Sequence, residues 1–479
     1  MSDVEPKHLA ECKGKGYVIA PAGYGKSHLI TMAVKLSQGK QLVLTHTFAG
    51  VSSIKGKMRS LAVSSKLCQV DTLASWALGM CLDYPKTSGW DKLHPEGAEW
   101  NRVYEHCTKL LEKKFFQHII KCSYSGVYVD EYQDCSKPQH AMICALASLL
   151  PCRILGDPMQ AIFGFNEELV DWETSIKPFF LCLGQLTKPW RWHNAGYPDL
   201  GSWLDDARQK LIDGQPIRLA GQLPRGVSKV KVDLTDFTDR KRLNLFYDFS
   251  GDPGSVTAIY PGQPQSKNKA HKLAQSLGGR FSSIEEVEGK DLLAFVRKLD
   301  KAASSRQRLC DVISFTKKCC NSIDSVLTAQ MKRGETTKII RSTKFPIIAV
   351  AANDYLIASC TAKLAGLLVL IQQAPEVTVY RRDLLNRLTS VLSLHQQDRG
   401  LSLEETALLF QRSMRNTGRP IRHNKVVATT LLVKGLEFDH VIVLEADTMA
   451  CRDLYVALTR GAKSVTIVCN SDSIGTISS

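Results

Sequence analysis

The sequence predicts an α/β fold with parallel sheets, on three observations. The segment "GYVIAPAGYGKSHLITMAVKLSQGK" reads as a strand, a tight loop and an amphipathic helix. The runs "QLVLTHTF", "GVYVDEY" and "CRILGDPMQ" are short, apolar and β-branched, and each ends in polar residues. That is the pattern of buried parallel strands with functional groups at their C-terminal ends. A second series, "SVTAIYPG", "KVVATTLLVKGLEFDHVIVLEAD" and "SVTIVCN", resumes the same pattern later in the chain.

The chain has 479 residues, 44% hydrophobic and 23% charged, which suits several globular domains and excludes disorder, collagen and low complexity. Lys plus Arg is 62 against 47 Asp plus Glu, a net charge of +15 that favours an anionic partner, nucleic acid before membrane.

Taken in order, the first unit runs to about residue 190. Its first helix turns an apolar stripe of Leu29, Met32, Ala33 and Leu36 inward, with Gly39 as its stop. A helical, Trp-bearing stretch at about 76–118 interrupts the unit as a small insertion. Residues 214–254 are rich in Pro, Gly and Asp with one possible strand. The second unit begins near "SVTAIYPG" and is split by a mostly helical stretch, where Ser402 and Glu405 make a capping box. The apolar run "FPIIAVAANDYLIASCTAKLAGLLVLIQQ" is broken by Asn353, Asp354 and Lys363, so it predicts buried helices, not a membrane span. No apolar core opens the chain, so no secretory leader is expected. Fifteen Cys without a CxxC predict free thiols in a reducing cytoplasm before any zinc or iron–sulfur centre.

Two strings carry chemistry. "APAGYGKS" fits the Walker A pattern, with Ala20 in place of the first Gly. Backbone amides from Gly23 through Tyr24, Gly25, Lys26 and Ser27 would cradle phosphate oxygens at a helix N-terminus, with His28 next in line. Lys26 would neutralise the β- and γ-phosphates of ATP, and Ser27 would ligate Mg2+. "VYVDEYQD" sets Asp130 and Glu131 just past an apolar strand. Asp130 can hold the metal, and Glu131 can orient and deprotonate an attacking water. Alone, that string also fits a solvated acidic turn.

"APAGYGKS", "LTHTFAG", "VDEYQD", "LGDPMQAIFGF", "KPWRW", "LVKGLEF" and "YVALTRG" follow one another in motif order, and in this the chain resembles the UvrD/Rep-like superfamily 1 DNA helicases in a compact form. The resemblance implies two RecA-like (P-loop NTPase) domains with ATP between them and single-stranded nucleic acid across their tops. Domain 1A would span 1–190, domain 2A 191–285 and 420–479, and a helical, 2B-like insertion 286–419. Gln160 would sense the γ-phosphate, with Asp157 beside it. Arg191 and Arg460 would stabilise charge developing on the transferred phosphoryl, and Glu437 would lie near the ribose. Phe48, Phe163 and Phe165 would stack on bases, which contributes about 1–3 kcal/mol per base. Read locally, each arginine fits a surface ion pair and each aromatic ordinary core packing.

The chain departs from the family in places. No Gln that would read adenine precedes Lys26, Leu431 and Leu432 replace polar residues, Asn166 and Glu167 replace Arg-Gly, and the duplex-splitting insertions are reduced. Compact chains of this kind also resemble the helicase-like subunit of Gabija-type anti-phage systems, which implies an OLD-family nuclease partner. The expected function is an ATP-dependent 3′–5′ translocase or helicase on single-stranded DNA or a single-strand/duplex junction. The alternative is a nucleotide-gated DNA sensor, a regulatory ATPase subunit of a nuclease complex with little unwinding of its own. An RNA-directed helicase is a third reading. The cations Arg306, Arg308, Lys317, Lys318, Lys332, Arg333, Lys338, Arg341 and Lys344 make 306–344 locally basic, as a phosphate-contacting or solvated face.

Overall fold

The computed structural model describes residues 3–162, 169–235, 240–247, 249, 254–286, 289–395, 400–417 and 423–475. Phe163, Phe165, Asn166 and Glu167 lie outside the described residues. The architecture is α/β with two six-stranded parallel sheets, as expected. The first is built from β1 (Lys15–Ile19), β2 (Gln41–Thr45), β3 (Cys68–Thr72), β4 (Gly126–Val129), β5 (Cys152–Gly156) and β6 (Leu181–Gln185). Their order is β3-β2-β4-β5-β1-β6, and every neighbouring pair is parallel. The register sets Ile19 beside Gly156 and Val129 beside Ile154 and Leu44, so the residues that follow β1, β2, β4 and β5 emerge along one edge. That edge assembles the site.

The chain continues through β7 (Ile217–Arg218), β8 (Val227–Val230), β9 (Val256–Tyr260), β10 (Ser282–Ser283), β11 (Cys320–Asn321), β12 (Thr378–Val379), β13 (Lys425–Thr429), β14 (Phe438–Val443), β15 (Gly461–Val468) and β16 (Ser473–Ile474). The second sheet has the order β10-β13-β9-β14-β15-β8, again parallel throughout. It takes in a strand that precedes "SVTAIYPG" and lies within 191–285. The stretch 214–254 supplies β8, which pairs with β15 at the sheet edge. An edge strand buries only part of its surface, so its apolar signal is weak.

Two further expectations change in detail. The helix Lys26–Leu36 buries Leu29, Ile30, Ala33 and Val34, while Leu36 is exposed. Its buried arc is rotated because the helices Pro6–Glu11 and Phe48–Ser60 both pack on it. It ends at Ser37, whose N–H reaches the Ala33 carbonyl at 2.9 Å, and Gly39 turns the chain two residues later at φ +68°. The stretch 76–118 forms the crossover from β3 to β4: Trp76, Val103, Leu110 and Phe116 are buried in the same core as Leu42, Val127 and Ile154. These helices cover one face of the first sheet.

The other face joins a core that crosses to the second sheet. Val18, Val43 and Leu155 belong to the same buried cluster as Val441, Val443 and Ile467, joined through Trp192, Leu200, Leu204 and Leu454. The described helices within 290–417 pack around a separate core that includes Leu309, Tyr355, Leu367 and Leu388. The long apolar run becomes the helices Pro346–Ala358 and Thr361–Gln373. Among the described residues no helix is long and apolar enough to cross a membrane. Ser402 and Glu405 exchange capping hydrogen bonds at the start of the helix Leu403–Thr417. Much of the basic charge at 306–344 is neutralised locally: Arg306 and Arg333 pair with Glu335, Lys317 and Lys332 with Asp324, and Lys344 with Glu376.

Candidate nucleotide site

The loop after β1 is held as an anion cradle needs. The Ala20 N–H extends the pairing with β5 by donating to the Gly156 carbonyl at 2.9 Å. Ala20 is fully buried and lies outside the left-handed region, so its methyl group adds no backbone strain. Gly23 and Gly25 have φ of +79° and +86°, where a Cβ is strained. A Cβ on Gly23 would also stand 2.9 Å from the Trp192 ring. The segment Trp190–Asn194 backs the loop, and the Arg191 N–H donates to the Gly23 carbonyl at 2.9 Å. Tyr24 is buried, with its hydroxyl donating to Asp205 at 2.7 Å and its ring edge-on to Trp192, so only its backbone is available to a phosphate. His28 is exposed on the helix.

Lys26 opens that helix and reaches across to the acidic turn after β4. Its ammonium lies 2.6 Å from Glu131 and 3.1 Å from Asp130. Glu131 sits in the left-handed region at φ +55°, a conformation costing about 1–2 kcal/mol in a residue other than Gly. The strain lies in the backbone of the residue that carries the carboxylate. Burial pushes Glu131 upward, but Lys26 and Lys434 outweigh it and bring the carboxyl from an ordinary 4.5 down to about 2. Burial raises Asp130 despite Lys26, which stands farther from it than from Glu131. Ser27 is half-buried beside Lys26, and Asp130 is 4% exposed. This hydroxyl and carboxylate fit magnesium, which commonly takes one or two protein ligands and completes its shell with phosphate oxygens and water.

A polar chain links this turn to the turn after β5. Gln133 donates to Glu131, and its carbonyl oxygen accepts from the Asp157 N–H at 3.0 Å. Asp157, fully buried, accepts from Gln160 at 3.1 Å and from Arg208 at 2.9 Å. The second sheet then meets the first. Arg460, 2% exposed, donates to the Leu436 and Val456 carbonyls and approaches the Gln160 side chain at 3.4 Å. Burial and the neighbouring Arg191 bring it down to about 10. Arg191 bonds Glu437 and the Thr459 carbonyl. Gln160, Arg191, Glu437 and Arg460 thus come together at the seam. Phe48, half-buried, opens the helix Phe48–Ser60 and takes part in no aromatic pair among the described residues.

Several residues of the site escape sequence reasoning. Lys434 is buried and bonds both Asp134 and the Gln160 carbonyl, joining the sheets at the acidic turn. Burial lowers its pKa, and burial, stronger than the pull of Lys434, raises Asp134 to about 6. Tyr455 accepts from the Ala22 N–H of the loop at 3.2 Å, and the Trp192 indole donates to the Gly461 carbonyl at 2.7 Å. His46, after β2, is brought down to about 4 by burial and Lys434 and lies 3.5 Å from Cys135. Trp190 is 43% exposed beside Gly25, with the Lys188 ammonium 3.8 Å from its ring centre. Lys434, Asp134, Tyr455, His46 and Trp190 all lie in strings already singled out. Arg208 lies in none.

The lowered carboxyl of Glu131 has a consequence for stability. Its contribution is present above pH 4.5 and is lost as the pH falls through that value toward 2. The thermal midpoint of the wild type is expected to fall more steeply over this window than that of Glu131→Gln. Parallel slopes would remove Glu131 as an acid-sensitive group.

Residues 91–171 match the model of the UvrD/REP helicase N-terminal domain. No curated protein matches the chain in sequence. Among solved structures, the Pif1 helicase from Candida albicans is similar at 11% identity and a TM-score of 0.42, over 100% of this chain and 97% of that one. The Pif1 helicase from Bacteroides, in complex with ADP-AlF3 and ssDNA, is similar at 11% identity and a TM-score of 0.33, over 98% and 94%. The Arterivirus nonstructural protein 10 (helicase), in complex with DNA, is similar at 11% identity and a TM-score of 0.37, over 97% of this chain. The chain spans 63% of the length of the Arterivirus protein.

Proposed function

We propose that the chain is an ATP-dependent motor on single-stranded DNA, translocating 3′ to 5′ in the cytoplasm. The observation that carries the reading is the seam itself. Lys434 and Arg460, both from the second sheet, end on the acidic turn and the Gln160 turn of the first, beside a glycine loop with a lysine. A ligand held there would touch both sheets, so its binding and loss would alter their relative positions. The match over residues 91–171 takes in Asp130, Glu131 and Gln160 and agrees with this.

In this reading the amides of Gly23 to Ser27 and the Lys26 ammonium bind the phosphates of ATP. Magnesium on Ser27 and Asp130 would supply charge neutralisation at the transferred phosphoryl. Glu131, ionised at neutral pH, orients water and accepts its proton. Gln160 stands between the acids and Arg460; Arg460 supplies positive charge from the second sheet, and Arg191 supplies it from the segment that backs the loop. Phe48, Phe163 and Phe165 serve as stacking surfaces for the strand. The Gabija-like resemblance supports an OLD-family nuclease as its companion.

Steady-state ATP hydrolysis with and without single-stranded DNA is the test, followed by displacement of a labelled strand from duplexes tailed at either end. The expected result is strong stimulation by DNA and opening of the 3′-tailed duplex alone. DNA-stimulated hydrolysis with no displacement would instead support the regulatory subunit. Hydrolysis indifferent to DNA would overturn the motor reading.

A further inference from the structure

At the N-terminal ends of β10 and β13 the second sheet carries a cavity of about 460 Å³, lined by Arg280, Arg382, Lys425, His423 and Ser282, among others. β13 leads at its other end, through the short helix Thr430–Val433, to Lys434 of the nucleotide site. Its five residues set the two places roughly 15 Å apart or more. One small ligand cannot reach both.

Three cations line this cavity. The Arg382 guanidinium is bonded to the Gly279 carbonyl at 3.3 Å, Lys425 donates to the Phe249 carbonyl at 2.9 Å, and Arg280 lies 4.1 Å from the centre of the Tyr247 ring. Among the described residues none of the three has a carboxylate partner, and no carboxylate lines the cavity. The adjacent Arg381 shows the contrast, for it is bound by both Glu285 and Asp291. An ammonium offers three donors and a guanidinium five, so most of the donors here are uncommitted. Three like charges converging on a concave surface repel one another, and an anion that enters relieves the repulsion and takes up the donors. A cavity of this volume admits a nucleotide-sized group.

We propose that this cavity is a second anion site that binds phosphate groups, away from the hydrolytic centre. Those groups come from a nucleic-acid strand or from free nucleotide. The strand as their source rests on the motor reading; the anion site itself does not.

The test uses the full chain without nucleotide. Labelled single-stranded and duplex oligonucleotides are titrated across a range of salt, comparing wild type, Arg382→Gln with Lys425→Gln, and Arg280→Gln. Arg280 is exposed, so its replacement leaves the fold intact. The double variant is expected to raise Kd on the order of tenfold at low salt. The slope of log K against log salt would shrink by about 0.7 for each phosphate no longer neutralised on single strands, or about 0.9 on duplex. Whichever nucleic acid shows the change is the source. Labelled ATP is titrated onto Lys26→Ala, and saturable binding there that Arg382→Gln abolishes would assign the site to free nucleotide. Unchanged Kd and slope with both nucleic acids, together with no saturable ATP binding, would overturn the site. If wild type hydrolyses no ATP, the motor reading fails while these titrations still report on the cavity.

Discussion

Replacing Glu131 by Gln is expected to reduce ATP hydrolysis about 10²–10⁴-fold, the usual contribution of a positioned acid–base group, while nucleotide binding and the fold persist. The substitution removes the carboxylate and little else. Its amide replacement can still meet Gln133, Lys26 keeps Asp130 at 3.1 Å, and Lys434 keeps Asp134. The left-handed backbone at Glu131 is unaffected, since Gln is no less able to adopt it than Glu. Steady-state rates beside equilibrium binding of a fluorescent nucleotide separate the two effects. A variant that turns over near the wild-type rate would remove Glu131 from the chemistry. One that loses nucleotide binding as well would mean that the carboxylate shapes the cradle instead of acting on water.

Replacing Lys434 by Met is expected to cost about 3–5 kcal/mol of stability, because it strands a buried carboxylate. The Lys434 and Asp134 side chains are 5% and 6% exposed, so water cannot stand in for the missing ammonium. Pairing Lys434→Met with Asp134→Asn should recover a large part of the loss, since replacing both members of a buried pair is far less costly than removing one. Denaturant unfolding of the four proteins in this cycle measures the coupling. Additive losses would mean that the two groups do not depend on each other. Hydrolysis should fall as well in the single variant, because Lys434 also ties the acidic turn to the Gln160 turn across the seam.

The elements that carry the site were legible where the signal is local. A strand that ends in a polar group, a glycine loop and a helix start are each written within about ten residues, which is why Lys26, Asp130 and Glu131 could be named from sequence. The bond between Lys434 and Asp134 joins residues 300 positions apart, and no periodicity encodes it. Arg208 is harder still. It lies on the solvent-rich helix Pro198–Ile212 among Asp205, Asp206 and Lys210, where a surface role is the natural expectation, yet it is buried against Asp157. Trp76 suggested an inserted module because aromatic helices between strands read that way. Its side chain packs in the core under the first sheet, a placement that composition does not reveal. Leu36 failed for a similar reason, since the buried arc of a helix depends on how many neighbours surround it.

The buried cluster that runs from Val18 and Leu155 through Trp192 and Leu204 to Val441 and Ile467 makes the two sheets mechanically dependent. Prising them fully apart would wet that entire apolar seam, at about 25 cal/mol for each square ångström uncovered. Wide gaping is therefore costly. Small rotations that keep the seam dry need far less free energy, and they are felt first at its polar rim, where Gln160, Lys434 and Arg460 meet. Displacements of a fraction of a side chain at that rim are the least costly way for the two sheets to move against each other.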